Sequence, residues 1–126
     1  MAEFKVVRAG DEEVEVSSGP LTRVAGISES LVGATGIHMA IGSVPPNSKS
    51  SPHTHINCET ALYVLRGHGR FLIGEGLKES IEVGPGDYIF VPPGALHQPI
   101  NDHPTEVWEM IVCRNSPVEI VEEYVV

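Results

Sequence analysis

The chemistry in this sequence gathers in "SPHTHINCET", residues 51–60, where two histidines alternate with threonine and a glutamate follows four residues later. In an extended chain residues two apart share a face, so His53 and His55 present two imidazoles side by side. A slight bend at "INC" brings the Glu59 carboxylate to the same point. Two imidazoles and a carboxylate suit a divalent transition metal, with Fe, Mn, Ni, Cu and Zn all acceptable to such donors. The plainer reading is a pair of solvated histidines in a loop ahead of the apolar run that follows.

A second segment shifts that balance. "GDYIFVPPGALHQPIN" places Gly86, Pro92, Gly94, His97 and Asn101 at intervals of five, one, two and three intervening residues. Gly-Pro-Gly at those offsets would arise by chance in about one window in 4,000 at average usage, and the added His and Asn make the pattern far rarer. Gly86 turns the chain into "DYIFV", Pro92-Pro93-Gly94 reverses it, and His97 opens the return strand, where it can aim into the same cavity as the first pair.

These two segments resemble the paired motifs of the cupin superfamily, over roughly residues 36–114. The second motif fits without departure. The first departs twice. Asn47 stands where a leading Gly is usual, and Asn tolerates the left-handed conformation that such a turn requires. Seven residues instead of six separate Glu59 from Gly67. A β-bulge at Cys58–Thr60 would absorb the extra residue and keep Glu59 inward, whereas Thr60 in the glutamate slot would cost the metal its carboxylate.

The resemblance implies an all-β fold, a jelly-roll β-barrel, with one divalent transition metal per chain held by His53, His55, Glu59 and His97. Two positions of an octahedral ion would then remain for water, substrate or dioxygen. The first expectation for function is Fe(II) or Mn(II) oxygenase chemistry on a small organic substrate. The second is Lewis-acid isomerase or lyase chemistry. The third is a cupin that binds or senses a metal or small ligand without turnover, and a storage-like role as in germin-related proteins comes last. Fold by itself does not choose among these. His38, in "GIHMAIG", is a candidate catalytic base or outer partner of the site; its bland alternative is a hydrogen-bonded histidine of the barrel wall. Asn101 reads as structural. His68 and His103 fall in turns, and Cys58 reads as a small buried hydrophobe.

The elements that must position these residues are short. Apolar runs broken by 13 Gly and 10 Pro recur about every ten residues, without helical periodicity of useful length. That spacing indicates a sandwich or barrel. Residues 27–35 read as a helical turn or a loop. The runs at 4–9 and 118–126 lie outside the motif region and read as strands with unpaired edges, which points to a homodimer through terminal strands 1–28 and 118–126, or to a C-terminal strand folded back on its own barrel. The chain of 126 residues is one domain's worth. Its formal charge of -9 disfavours nucleic acid as a partner. There is no apolar run of membrane-spanning length, and the charged N-terminus lacks a signal-peptide core. Two cysteines give no framework of bridges. The expectation is a cytoplasmic protein acting on a small molecule.

Overall fold

The computed structural model describes residues 2–17 and 19–124. Among the described residues twelve strands form in chain order: β1 Glu13–Glu15, β2 Thr22–Ile27, β3 His38–Val44, β4 Ser48–Lys49, β5 His53–His55, β6 Thr60–Arg66, β7 Gly69–Ile73, β8 Glu79–Val83, β9 Tyr88–Val91, β10 His97–Asn101, β11 Trp108–Arg114 and β12 Val121–Glu123. They pair antiparallel into two sheets. One runs β1-β2-β3-β11-β6-β9 and the other β12-β5-β10-β7-β8, with β4 also on β10. Alternation decides what lies between the sheets. In β6, β7 and β11 the inward set includes Leu62, Val64, Phe71, Trp108 and Met110, which form the core with Val44, Val83 and Val91. Trp108 is fully buried, edge-on to Phe71 at 5.2 Å between ring centroids. Gly67 and Gly69 make room for it: a Cβ at Gly67 would lie 2.2 Å from the Val107 carbonyl oxygen, and one at Gly69 would lie 2.1 Å from the indole.

The segment 27–35 contains a single helical turn, α1 Glu29–Val32. Ser28 caps it by accepting a hydrogen bond from the Leu31 amide, and Gly33 ends it at φ 74°. Asn47 takes a left-handed φ of 52°, as its place at the head of the first motif requires. One expectation about the termini needs correction. Residues 4–9 form no strand, because they find no partner edge. The C-terminal run takes the second of the two courses expected for it: β12 pairs with β5 of its own barrel, Val121 opposite His55 and Glu123 opposite His53. Met1, Val125 and Val126, at the ends of the expected terminal strands, lie outside the described residues.

Candidate metal centre

His53 and His55 come from β5, whose period of two turns both rings inward. His97 opens β10 and sits directly opposite His53 in the ladder. The reversal at Pro92–Gly94 sets it there, with Gly94 at φ 79° and its amide bonded to the His55 carbonyl at 2.8 Å. All three histidines are buried, and one donor nitrogen from each lies within 4.8 Å of the others. The ring centroids are 4.5 to 5.1 Å apart.

The outward ring nitrogens decide whether this cluster fits a metal. The Nδ1–H of His53 donates to the Ser51 carbonyl at 2.8 Å, and that of His97 donates to the Ala95 carbonyl at 2.9 Å. A carbonyl only accepts, so each bond fixes the Nδ1–H tautomer and leaves the lone pair on Nε2. His55 Nδ1 is buried without an aligned hydrogen-bond partner, and Glu119 Oε2 approaches it at 3.0 Å. Burial also lowers the His53 pKa and lowers that of His97 to about 4. Both rings are thus held neutral, the form in which imidazole binds a metal. The three rings fit a divalent transition ion as an all-imidazole donor set.

Glu59 does not join them. It is exposed, in the loop between β5 and β6, and its amide is tied to Asn115 Oδ1 at 2.8 Å. The anticipated bulge at Cys58–Thr60 is absent, because the ladder starts cleanly with Thr60 opposite both Val91 and Arg114. The register shift of this strand pair lies at its far end, at Glu109/Met110. Thr60 therefore takes the inward slot. Its hydroxyl is buried without a hydrogen-bond partner and lines the cavity. The fourth ligand expected from the sequence is corrected accordingly.

His38 is likewise corrected as a catalytic base or outer partner. It is buried at the end of β3, and its Nε2 lies 2.9 Å from Glu15 Oε2. It lines a different cavity from that of the histidine cluster. Asn101 plays the structural part expected of it, donating to the Val44 and Glu106 carbonyls and accepting from the His103 amide.

The cavity above the three rings holds about 280 Å³ and is walled mainly by apolar side chains, among them Leu62, Phe71, Met110 and Val112. Glu119, Val121 and Glu123 close one side. Sequence reasoning missed Glu119. The signal was present in the alternation of 119, 121 and 123, which puts these three side chains on one face. Besides His55, Glu119 meets Arg23 Nη1 at 3.5 Å and Arg114 Nη1 at 3.4 Å. Burial raises its carboxyl pKa, but the His55 contact and the two arginines outweigh that and hold it at about 2, so Glu119 is ionised.

Comparisons with known proteins agree with this geometry. Cupincin from Oryza sativa subsp. indica is 33% identical over 102 residues, which are 76% of this chain and 21% of Cupincin, so the chain spans about a fifth of that relative's length. The polyketide cyclase RemF from Streptomyces resistomycificus superposes with a TM-score of 0.82 at 25% identity, covering 98% of this chain and 87% of RemF. A predicted oxalate decarboxylase from Thermotoga maritima shares the fold, with a TM-score of 0.71 at 22% identity over 89% of this chain and 99% of that one. No helix among the described residues is long and apolar enough to cross a membrane. The family model described as the cupin domain matches residues 40–113, which contain both histidine segments and the strands that carry them, and the chain is a member of the cupin family.

Proposed function

We propose that this cupin is a metal-dependent enzyme that activates an oxygen-bearing group, a carbonyl above all, of a small organic molecule. The observation that carries this reading is the donor set: three buried imidazoles with no carboxylate among them. A divalent ion bound by neutral ligands keeps its full charge and supplies Lewis-acid polarisation of a carbonyl or water. With Glu59 outside the site, weight moves from oxygenase chemistry to the isomerase, lyase or cyclisation class. The resemblance to RemF, a polyketide cyclase, points the same way, since such a substrate is rich in carbonyls.

The chain's own residues supply the rest. His53 and His97 arrive in a fixed tautomer, so no proton need move before they act as donors. Leu62, Phe71, Met110 and Val112 make much of the cavity wall apolar and favour a largely apolar substrate. The Thr60 hydroxyl lines the cavity and offers a hydrogen-bond donor to a substrate oxygen.

The test is anaerobic loading with zinc, manganese, nickel or iron, followed by assays on short poly-β-carbonyl thioesters and hydroxy-ketones. The expected result is turnover without dioxygen and a loss of about 100-fold or more in His97→Ala. Turnover that consumes dioxygen in proportion to product would restore the oxygenase reading.

We also propose a homodimer formed through the outer face of the first sheet rather than through exchanged terminal strands. Met39, Cys113, Ala61 and Phe90 lie in one cross-strand row there, and Tyr88 and Phe90 are 83% and 62% exposed. A monomer in light scattering at micromolar concentration would refute it.

A further inference from the structure

We infer that Glu119 is a positioning residue for the metal centre: from the C-terminal strand region it supplies the carboxylate that the first motif does not, acting through His55 and not as a ligand. The inference rests on the reading of His53, His55 and His97 as metal donors.

The three imidazoles are not held alike. Backbone carbonyls within two residues fix His53 and His97. His55 has no such carbonyl. Its Nδ1 is buried, lacks an aligned hydrogen-bond partner and lies 3.0 Å from Glu119 Oε2. A ring with an unassigned Nδ1 divides between tautomers, and in one of them Nε2 carries a proton and cannot donate to a metal. A carboxylate beside Nδ1 selects the Nδ1–H form, leaves the lone pair on Nε2 and makes the ring a stronger donor.

Glu119 is held in that place by contacts beyond the three rings. Arg114 Nη1 meets its carboxylate at 3.4 Å, while the same guanidinium donates to the Ser116 and Pro117 carbonyls at 3.0 and 3.1 Å. Asn57, two residues beyond His55, donates to the Val118 carbonyl and accepts from the Ile120 amide, both at 2.7 Å, and so grips the residues on either side of Glu119. Arg23 meets the second carboxylate oxygen at 3.5 Å. The segment 116–123 thus folds back over β5, with Val121 opposite His55 and Glu119 on the same strand face two residues earlier. With oxygens shared among two arginines and a histidine, the carboxylate is restrained at the outer edge of the ring. The donor atoms that lie within 4.8 Å of one another come from His53, His55 and His97, and Glu119 is not among them.

The experiment compares wild type, Glu119→Ala, Glu119→Gln and His97→Ala by two readouts. Zinc affinity is measured by competition against a chromophoric chelator, and the His55 tautomer in metal-free protein by ¹⁵N-resolved NMR of the imidazole. Wild type is expected to bind one zinc and show Nδ1–H at His55. Glu119→Ala is expected to lose 10- to 100-fold in affinity and to show mixed tautomers. Glu119→Gln, whose amide oxygen still accepts from Nδ1–H, is expected to keep the tautomer and recover most of the affinity, which a merely structural role would not predict. An alanine variant within twofold of wild type, or a wild-type tautomer without the carboxylate, would overturn the inference while leaving the metal site standing. Cobalt spectra showing a carboxylate in the wild-type donor set would overturn it in favour of direct ligation. Zinc binding that survives His97→Ala would overturn the underlying metal reading, whatever the tautomer shows.

Discussion

At the scale of the residue, the two-residue period of an extended strand decides which side chains enter the cavity and which meet solvent. His53 and His55 are two apart and face one way whatever the strand does around them, and His97 follows a Pro-x-Gly reversal that fixes its direction. Those three were legible because their geometry is local. Glu59 was not, because its direction depends on where β6 begins, and the ladder partners Val91 and Arg114 set that start at Thr60. A one-residue difference in register turns a side chain from cavity to solvent. The same position offers a prediction. Thr60→Glu would put a carboxylate at the motif's usual place, in a cavity with room for it. Without metal, the added buried charge is expected to destabilise the fold by about 1–3 kcal/mol. With metal, an added oxygen donor favours manganese, so the ratio of manganese to zinc affinity is expected to rise about tenfold or more. An unchanged ratio in parallel competition titrations would mean that position 60 does not face the ion.

At the scale of the element, most strands were visible as apolar runs between Gly and Pro, and the two ends were not. Residues 4–9 and 118–126 carry comparable β-rich composition, yet only the second makes a strand among the described residues. The difference lies in what each run meets. The C-terminal run finds the free edge of β5 and the Asn57 side chain, both supplied by residues some sixty positions away in the chain. No local pattern contains that information. Asn57→Ala removes the side chain that grips both flanks of Glu119. Leaving the Val118 carbonyl and Ile120 amide to water is expected to cost about 1–2 kcal/mol. The effect should be regional: amide exchange at Ile120 and Val121 should accelerate well before exchange at Val64 or Met110 in the core. Uniform acceleration across the barrel, or none, would show that the C-terminal segment is not a separately latched unit.

At the scale of the whole molecule, the family was legible because both motifs are short and carry their own turns. The cavity's electrostatics were not, because they join β5, β10 and the C-terminal strand. That arrangement makes the metal-free protein sensitive to acid, with a sign that follows from the buried groups. His97 titrates at about 4 in the folded chain against an ordinary value of 6.5, and burial lowers His53 in the same direction. Between those values the unfolded chain holds a proton that the folded chain refuses, so stability falls as pH drops below about 6.5 and levels off near 4. His97 alone accounts for on the order of 3 kcal/mol of that loss. Glu119, held at about 2, acts in the same direction at lower pH. Its stabilisation is intact above its ordinary value of 4.5 and is lost as pH falls toward 2, so a second phase of acid loss follows the first. His97→Leu fills the same inward position without a titrating group and should take up about one proton fewer on unfolding between pH 6.5 and 4. Urea midpoints across that range should therefore fall less steeply in the variant than in wild type, while the phase below pH 4.5 stays the same. Parallel curves for the two proteins from pH 7 to 4 would mean that His97 is not held neutral by its burial, and the donor-ready state of the site would lose its physical basis.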